Sequence, residues 1–359
     1  MADISTSAAL MPFRLDPVLT PAIWGGNALV RIFGKHGDPN ERIGESWECW
    51  EGSRVVDGPL AGSTLSSLRS SLGKRLMGTL DAERVFPILT KFIDARDWLS
   101  VQVHPTDAYA QRVEHQPFGK TECWYVLHAE PSAEIVLGWT RDTSREEYER
   151  RVADGTLGEI LRRVPVKTGD AFYLPSGTLH AIGPGIVVYE TQQTSDLTYR
   201  IFDWNRLGND GKPRELHVAK AGDVLDYRAG TMGALETIAY AWQGCSRTAL
   251  ISDENFTVVR LALIGGATTT LLTDALPAII TALGGSIEIA HESGALRLAP
   301  YQSALVPAEL DSVTVSSTDA TEFLCVVPTI PERLGTRMHQ AGTVDRTIDA
   351  FLAQFTGNT

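Results

Sequence analysis

The stretch LSVQVHP, residues 99–105, decides the fold, because apolar and polar residues alternate through it with the period of a β-strand. On such a strand Gln102 and His104 project from one face, and Val101 and Val103 from the other. Two further segments carry the same kind of information. In TECWYVL, residues 121–127, Glu122, Trp124 and Val126 share a face, and Cys123, Tyr125 and Leu127 share its opposite. In GDAFYLPSGTLHAI, residues 169–182, a short apolar strand runs into a Pro/Gly turn that delivers His180 just beyond the bend. Gln102, His104, Glu122 and His180 together supply two imidazoles and two oxygen donors, a mixture that suits a catalytic divalent metal. A lone histidine such as His36 or His128 is more often a solvated or satisfied core residue; the shared parity on three β-patterned segments reverses those odds for the set of four. Four ligands from strands so far apart in the chain require a closed or nearly closed β structure.

Composition narrows the class. The chain has 359 residues, about two domains' worth, with 43% hydrophobic and 21% charged residues, as in ordinary globular proteins. Thirty-two basic against 44 acidic residues give a net charge of −12, and no basic run occurs, so nucleic acid and anionic membranes are poor partners. Any anionic substrate must instead meet locally concentrated cations. The N-terminal MADISTSAALMPF does not read as a signal peptide, and no apolar run approaches spanning length. Cys49, Cys123, Cys245 and Cys325 are scattered without CxxC spacing, which favours reduced thiols and a cytoplasmic location, with Cys123 a small buried residue behind Glu122.

The rest of the chain reads as mainly β with helical insertions. Leu65, Leu68, Leu72 and Leu76 at helical spacing mark one insertion over about 64–82, with Ser63 or Thr64 as its cap. Tyr148, Val152, Leu157, Ile160 and Leu161 mark another over about 144–163, split into two short helices at Asp154-Gly155. FPILTKFI (86–93), a turn at 94–97 and WLSVQVHP (98–105) look like a hairpin. Residues 169–182 align with 301–315 when Pro175 is placed on Pro307, a weak internal repeat in which His180 falls opposite Ser312. The spacing therefore predicts a metal-binding half from about 14 to 228, a second copy without ligands from 235 to 328, and a tail from 331 to 359. In that tail Val344, Ile348, Leu352 and Phe355 line one side of a short helix.

WGG (24–26), IGESWE (43–48), FPILTKFIDARDWLSVQVHP (86–105), GKTECWYV (119–126), GDAFYLPSGTLHAIG (169–183) and ETQQTSDLTYRIFDWNR (190–206) agree in order, spacing and residue type with one family. The chain resembles the type I mannose-6-phosphate isomerases in their short bacterial form. The resemblance runs continuously over about 14–218 and more loosely beyond. It implies two cupin-type, jelly-roll β-barrel domains, a divalent metal that is usually zinc, and reversible interconversion of mannose 6-phosphate and fructose 6-phosphate. It implies Gln102, His104, Glu122 and His180 as metal ligands, Lys91, Ser100 and Lys120 as phosphate and substrate contacts, and Glu190 and Arg200 as the catalytic pair, with Lys120 close to the chemistry. The chain departs from the longer eukaryotic form at Thr121, where that form has proline. It departs again in IFDWNRLGNDGKPRE, where Arg206 and Lys212 both lie near the place of that form's lysine.

The residues suit this chemistry on their own terms. Aldose–ketose exchange through an enediol needs a proton carrier, an electrophile for the developing oxyanion, and a phosphate anchor. Glu190 in VVYETQQT shares a face with Val188 and Gln192, and Arg200 follows in TYRIFDW. Two rival classes remain: a non-catalytic sugar-phosphate sensor, and a metal-dependent oxygenase using His104, Glu122 and His180 as a facial triad. The chain has no helix-turn-helix candidate for a sensor, and Gln102 with the lysines favours the isomerase.

Overall fold

The computed structural model describes residues 9–208, 211–328 and 331–356. Among these residues the first half holds thirteen strands: β1 (Phe13–Asp16), β2 (Val18–Gly26), β3 (Ile43–Cys49), β4 (Arg54–Val55), β5 (Ile88–Ala95), β6 (Val101–Val103), β7 (Glu122–Ala129), β8 (Glu134–Trp139), β9 (Leu161–Pro165), β10 (Ala171–Leu174), β11 (His180–Ile182), β12 (Ile186–Gln193) and β13 (Tyr199–Phe202). The second half adds ten: β14 (Ile238–Trp242), β15 (Cys245–Ser252), β16 (Phe256–Leu263), β17 (Thr268–Leu272), β18 (Ala278–Ala282), β19 (Ile287–His291), β20 (Gly294–Leu298), β21 (Ser303–Val306), β22 (Ser312–Ser316) and β23 (Thr321–Pro328). The mainly β class expected from alternation is observed, and every strand pairing is antiparallel.

In the first half a six-stranded sheet, in the order β10-β7-β12-β5-β2-β3, lies against a five-stranded sheet, β13-β6-β11-β8-β9. Ile93, Val126, Phe172 and Val188 from the first sheet meet Ile135, Leu137 and Ile182 from the second, with Leu99 just before β6, in one apolar cluster. The outer face of the five-stranded sheet, Val101, Val103, Val136 and Tyr199, is covered by Tyr148 of the helix Arg145–Ala153 and Ala221 of the helix Val218–Val224. The outer face of the six-stranded sheet, Phe92, Cys123, Tyr125 and Tyr189, packs into the core of the second half. That second half pairs an eight-stranded sheet, β14-β15-β16-β23-β18-β21-β1-β4, with a four-stranded one, β17-β22-β19-β20. The N-terminal strands β1 and β4 thus extend the sheet of the C-terminal half, Phe13 lying opposite Leu305.

Four local readings meet the structure differently. The first insertion is a helix over Leu65–Leu72, capped by Thr64 with a reciprocal Thr64–Ser67 capping box, then a short turn of helix over Lys74–Met77. In the second insertion only Arg145–Ala153 is α-helical; a single 3₁₀ turn spans Leu157–Ile160, and Leu161 already belongs to β9 because it pairs with Trp139 of β8. The expected hairpin of FPILTKFI with WLSVQVHP does not form. β5 has both edges filled, by β12 and β3, so the chain leaves that sheet at 96–100 and enters the facing one as β6. In the tail the helix Asp345–Ala353 buries Ile348 and Phe351, while Val344 precedes it as its N-cap and is 68% exposed, off the packed side.

Three glycines are needed where the first half closes. A Cβ on Gly25 of the WGG motif would stand 2.5 Å from the Gly44 nitrogen, so β2 and β3 approach only because both positions lack side chains. Gly177 sits at φ +88° in the turn after β10, and its N–H donates to the His104 carbonyl at 2.9 Å, tying the bend before His180 to the end of β6.

Candidate metal centre and its surroundings

The site is built by cross-strand pairing. On the five-stranded sheet His180 of β11 lies directly opposite Gln102 of β6, and Gln102 in turn lies opposite Arg200 of β13, so all three project from the inner face. On the six-stranded sheet one row runs Trp47, Lys91, Glu190, Trp124, Phe172 across β3, β5, β12, β7 and β10, and the next places Gln192 opposite Glu122. The two inner faces bring their polar rows together above the apolar cluster of the barrel floor.

His104, Glu122 and His180 converge, with one ligand atom from each within 4.8 Å of the others. His104 Nε2 is 3.2 Å from Glu122 Oε1, and His180 Nε2 is 3.5 Å from Glu122 Oε2. The Gln102 amide lies 3.2 Å from His180 Nε2. The two imidazoles are held from behind: His104 Nδ1 sits 2.8 Å from the Leu197 carbonyl and His180 Nδ1 2.9 Å from the Thr178 carbonyl. A carbonyl can only accept, so each Nδ1 carries the proton and each Nε2 lone pair faces the centre. Burial pushes the His104 pKa down to about 4, the nearby Lys120 charge adding to this, and burial likewise lowers that of His180. Glu122 is held well below the carboxylate range: burial alone would raise it, but the Lys120 charge beside it pulls it down. His104 Nε2 and both Glu122 oxygens are buried without a hydrogen-bond partner. Orphaned buried atoms of this kind cost free energy unless something binds them, and two neutral imidazoles with one carboxylate suit a divalent cation. This group could hold a metal.

The other expected residues surround it. Lys120 Nζ lies 2.5 Å from Glu122 Oε1. Lys91 Nζ lies 3.2 Å from Glu190 Oε1 and 3.3 Å from Glu45 Oε1, and although burial would lower its pKa the carboxylates Glu190 and Glu45 hold it above the ordinary lysine value. Glu190 is 2% exposed and accepts from the Trp124 indole N–H at 2.8 Å; burial and the Glu122 charge raise its pKa against the pull of Lys91. Ser100 is buried two residues before Gln102. Arg200 donates through Nη1 to the Glu215 carbonyl at 3.0 Å, while its Nε is buried without a partner. Glu190 and Arg200 stand on opposite sheets, β12 and β13, facing each other across the barrel. Arg206 and Arg214 both bind the Asp203 carboxylate, at 2.8 and 2.6 Å. An open cavity of about 750 Å³, lined by Trp98, Trp204, Arg42 and Arg206 among others, lies beside this corner, and none of the metal-facing residues lines it.

Sequence reasoning passes over Glu45 and Trp124. Glu45, next to Lys91, also accepts from the Trp47 indole at 2.7 Å, and although burial opposes it, Lys91 keeps its pKa below the ordinary value. The available signal is the alternation of Glu45 and Trp47 in IGESWE, one period of a strand with a carboxylate on the face of an aromatic. Trp124 shares Glu122's parity and reads from sequence as core.

Comparison with known proteins gives this geometry a family. Residues 12–119 match the family model described as phosphomannose isomerase type I, catalytic domain. A mannose-6-phosphate isomerase of Streptococcus mutans is 41% identical over 294 residues, spanning 80% of this chain and 90% of the relative. The chain belongs to the type I mannose-6-phosphate isomerase family. Mannose-6-phosphate isomerase ManA of Bacillus subtilis is 47% identical over 219 residues, 60% of this chain and 68% of the relative. The crystal structure of the mannose 6-phosphate isomerase from Bacillus subtilis superposes with a TM-score of 0.81 at 34% identity, covering 89% of this chain and all (100%) of that one. A phosphomannose isomerase structure from Salmonella typhimurium, at 16% identity and a TM-score of 0.71, shares the fold. The two-sheet halves are therefore jelly rolls of the cupin type, and this member of an isomerase family carries its polar cluster inside the first of them. No described helix is long and apolar enough to cross a membrane.

Proposed function

We propose that the protein interconverts mannose 6-phosphate and fructose 6-phosphate by moving a proton between C2 and C1 through a cis-enediol. The observation that carries this reading is the juxtaposition, inside one barrel, of the buried His104–Glu122–His180 group with a raised-pKa carboxylate, Glu190. The donor set fits a divalent cation, and zinc held by His104, Glu122, His180 and the Gln102 amide would polarise the C1 and C2 oxygens of the sugar.

Glu190 is the proton carrier in this reading. Burial beside another carboxylate raises its pKa towards neutrality, which suits a group that must both accept and return a proton. The C2–H bond breaks as an O–H bond forms at Glu190, the C–H electron pair becomes the C1=C2 bond, and the former carbonyl oxygen takes up charge. A hydroxyl proton then passes from O2 to O1, and as the O2 charge forms the C2=O bond the C1=C2 electron pair takes back the same proton at C1, giving the ketose. Arg200, on the facing sheet beside Gln102, steadies the oxyanion and the phosphate with a guanidinium whose buried Nε is otherwise unused. Lys91 and Lys120 remain substrate contacts, but each already faces carboxylates, Glu190 and Glu45 for one and Glu122 for the other. The phosphate end is therefore read as lying towards Ser100 and Arg200, where Arg206 and Arg214 share the single carboxylate of Asp203 and leave an excess of positive charge. This local excess offsets the −12 of the whole chain.

The same reading takes residues 14–228 as the catalytic unit and 235–328 as a second cupin without chemistry, and it suits a cytoplasmic enzyme acting on a small phosphorylated sugar. A coupled assay of mannose 6-phosphate turnover by Arg206→Ala, with free mannose as the control, tests it. A rise in KM for the phosphorylated sugar alone is expected; no turnover of mannose 6-phosphate by the parental protein loaded with zinc would refute the assignment.

A further inference from the structure

Trp124 does something that packing does not require. It is 1% exposed and stands directly opposite Glu190 on the neighbouring strand, its indole N–H donating to Glu190 Oε2 at 2.8 Å. Its ring meets the His180 ring edge to face, 5.4 Å between centroids, so one rigid side chain spans the distance from the candidate metal ligands to the carboxylate. The indole is a donor only and does not titrate, so it binds Glu190 in every state of the cycle and always through the same oxygen. The other oxygen, Oε1, is buried without a hydrogen bond, with the Lys91 ammonium 3.2 Å away.

We propose that Trp124 is a positioning residue for the isomerisation: its N–H pins Glu190 Oε2 and leaves Oε1 as the atom that carries the proton from C2 to C1. This rests on the reading of Glu190 as the proton carrier. A glutamate carboxylate can rotate about its last side-chain bond to turn either oxygen to the substrate; fixing one of them removes that freedom and keeps the reacting oxygen in place for both halves of the transfer. No oxidant or further reactant is needed, because the proton that leaves C2 for Oε1 returns to C1, one hydroxyl proton passes from O2 to O1, and the electron pairs move within the sugar.

Two replacements separate the donor from the ring. Trp124→Phe removes the N–H and keeps an aromatic edge towards His180; benzothienylalanine installed at position 124 keeps the two-ring shape and puts sulfur where the N–H stood. The readouts are kcat and KM for mannose 6-phosphate, bound metal per chain, and the fraction of a C2 tritium label that reaches C1 of the product. Both variants should lose roughly tenfold to a hundredfold in kcat, the range expected when a reacting group is misplaced by about 1 Å. KM should stay within about twofold, as for an interaction realised in the transition state. Metal content should be unchanged, and less label should be retained. Parental kcat and label retention in both variants would overturn the proposal, and so would a defect in Trp124→Phe that vanishes with benzothienylalanine, since shape alone would then explain it. Glu190→Gln runs alongside: loss of label from C2 at the parental rate in that variant refutes the reading of Glu190 itself. Abolished loss there, with both Trp124 variants parental, refutes only the positioning role.

Discussion

The two halves run the same stretch of backbone to different ends. In the first, β10 ends at Leu174, Pro175 comes next, and the chain crosses to the facing sheet, where β11 begins at His180; in the second, β21 ends at Val306, Pro307 comes next, and β22 begins at Ser312 in the facing sheet. The proline corners therefore correspond, but His180 faces inward whereas Ser312, alternating with the buried Val313, faces out. The interiors differ. β22 sends Val313 and Val315 into an apolar cluster with Ile287 and Ile289, whereas β11 and its neighbours send His180, Gln102 and Arg200 into a polar one. Apolar alternation and the proline corner make the jelly roll; a few polar residues at inner positions turn one copy into a site. They are not neutral passengers, because among the described residues His104 Nε2 and Glu122 Oε2 are buried without a hydrogen-bond partner, each a cost of about 1–3 kcal/mol unless something binds it.

The comparison breaks most visibly if the first half loses its inward-facing histidine. His180→Ser should leave the strand intact and remove one ligand, so that metal analysis finds little bound zinc and the coupled assay falls to background. Bound metal together with near-parental turnover would mean that His180 is not a ligand.

The converse change weakens the second half alone. Leu305 is fully buried and paired with Phe13 across the junction of β21 and β1. Leu305→Ala should lower unfolding stability by about 2–5 kcal/mol, read as an earlier denaturant midpoint. Metal per folded chain and KM should stay at parental values. A changed KM would tie the second half directly to substrate binding.

A smaller effect sharpens the polar side. Arg200→Gln removes a hydrogen-bonding charge worth about 1.5–3 kcal/mol, so kcat/KM for mannose 6-phosphate should fall roughly tenfold to a hundredfold with metal retained. An unchanged kcat/KM would leave Arg200 as a structural cation bound to the Glu215 carbonyl.

The smallest effect is one of pH, and it belongs to the first half. The folded pKa of His104, at about 4, lies below its ordinary 6.5, so the unfolded chain binds the extra proton first. The stability this provides is complete above pH 6.5 and is lost as pH falls towards about 4, at up to about 1.4 kcal/mol per unit, with the buried His180 acting in the same direction. Denaturant melts of the metal-free protein at pH 7 and pH 5 should show the lower pH to be the less stable. Equal midpoints would contradict a neutral, buried imidazole pair.

These contrasts also mark what can be read from the chain alone. The inner ligands are legible because strand parity is local: Gln102 and His104 are two apart, and Glu122 shares a face with Trp124 whatever its neighbours are. The proline corner is legible for the same reason. Glu45 is not, because its place beside Lys91 depends on β3 pairing with β5 across more than forty residues, and nothing local to IGESWE names that neighbour. The false hairpin has a related cause. All eight residues of β5 are buried, the mark of a central strand with both edges taken, but a turn-like Asp94–Asp97 next to another strand reads locally as a hairpin. Trp124 reads as core because an indole announces its volume in the sequence and its N–H only when a carboxylate stands opposite.

The central claim is that the first jelly roll works through a metal held by its buried His–Glu–His group while the second binds none. The direct measurement is metal stoichiometry with activity: the chelated protein is titrated with zinc while mannose 6-phosphate turnover is monitored. The account predicts that turnover is absent without metal and rises in proportion to a single equivalent per chain, then levels off. Full turnover by protein shown to be metal-free would contradict it.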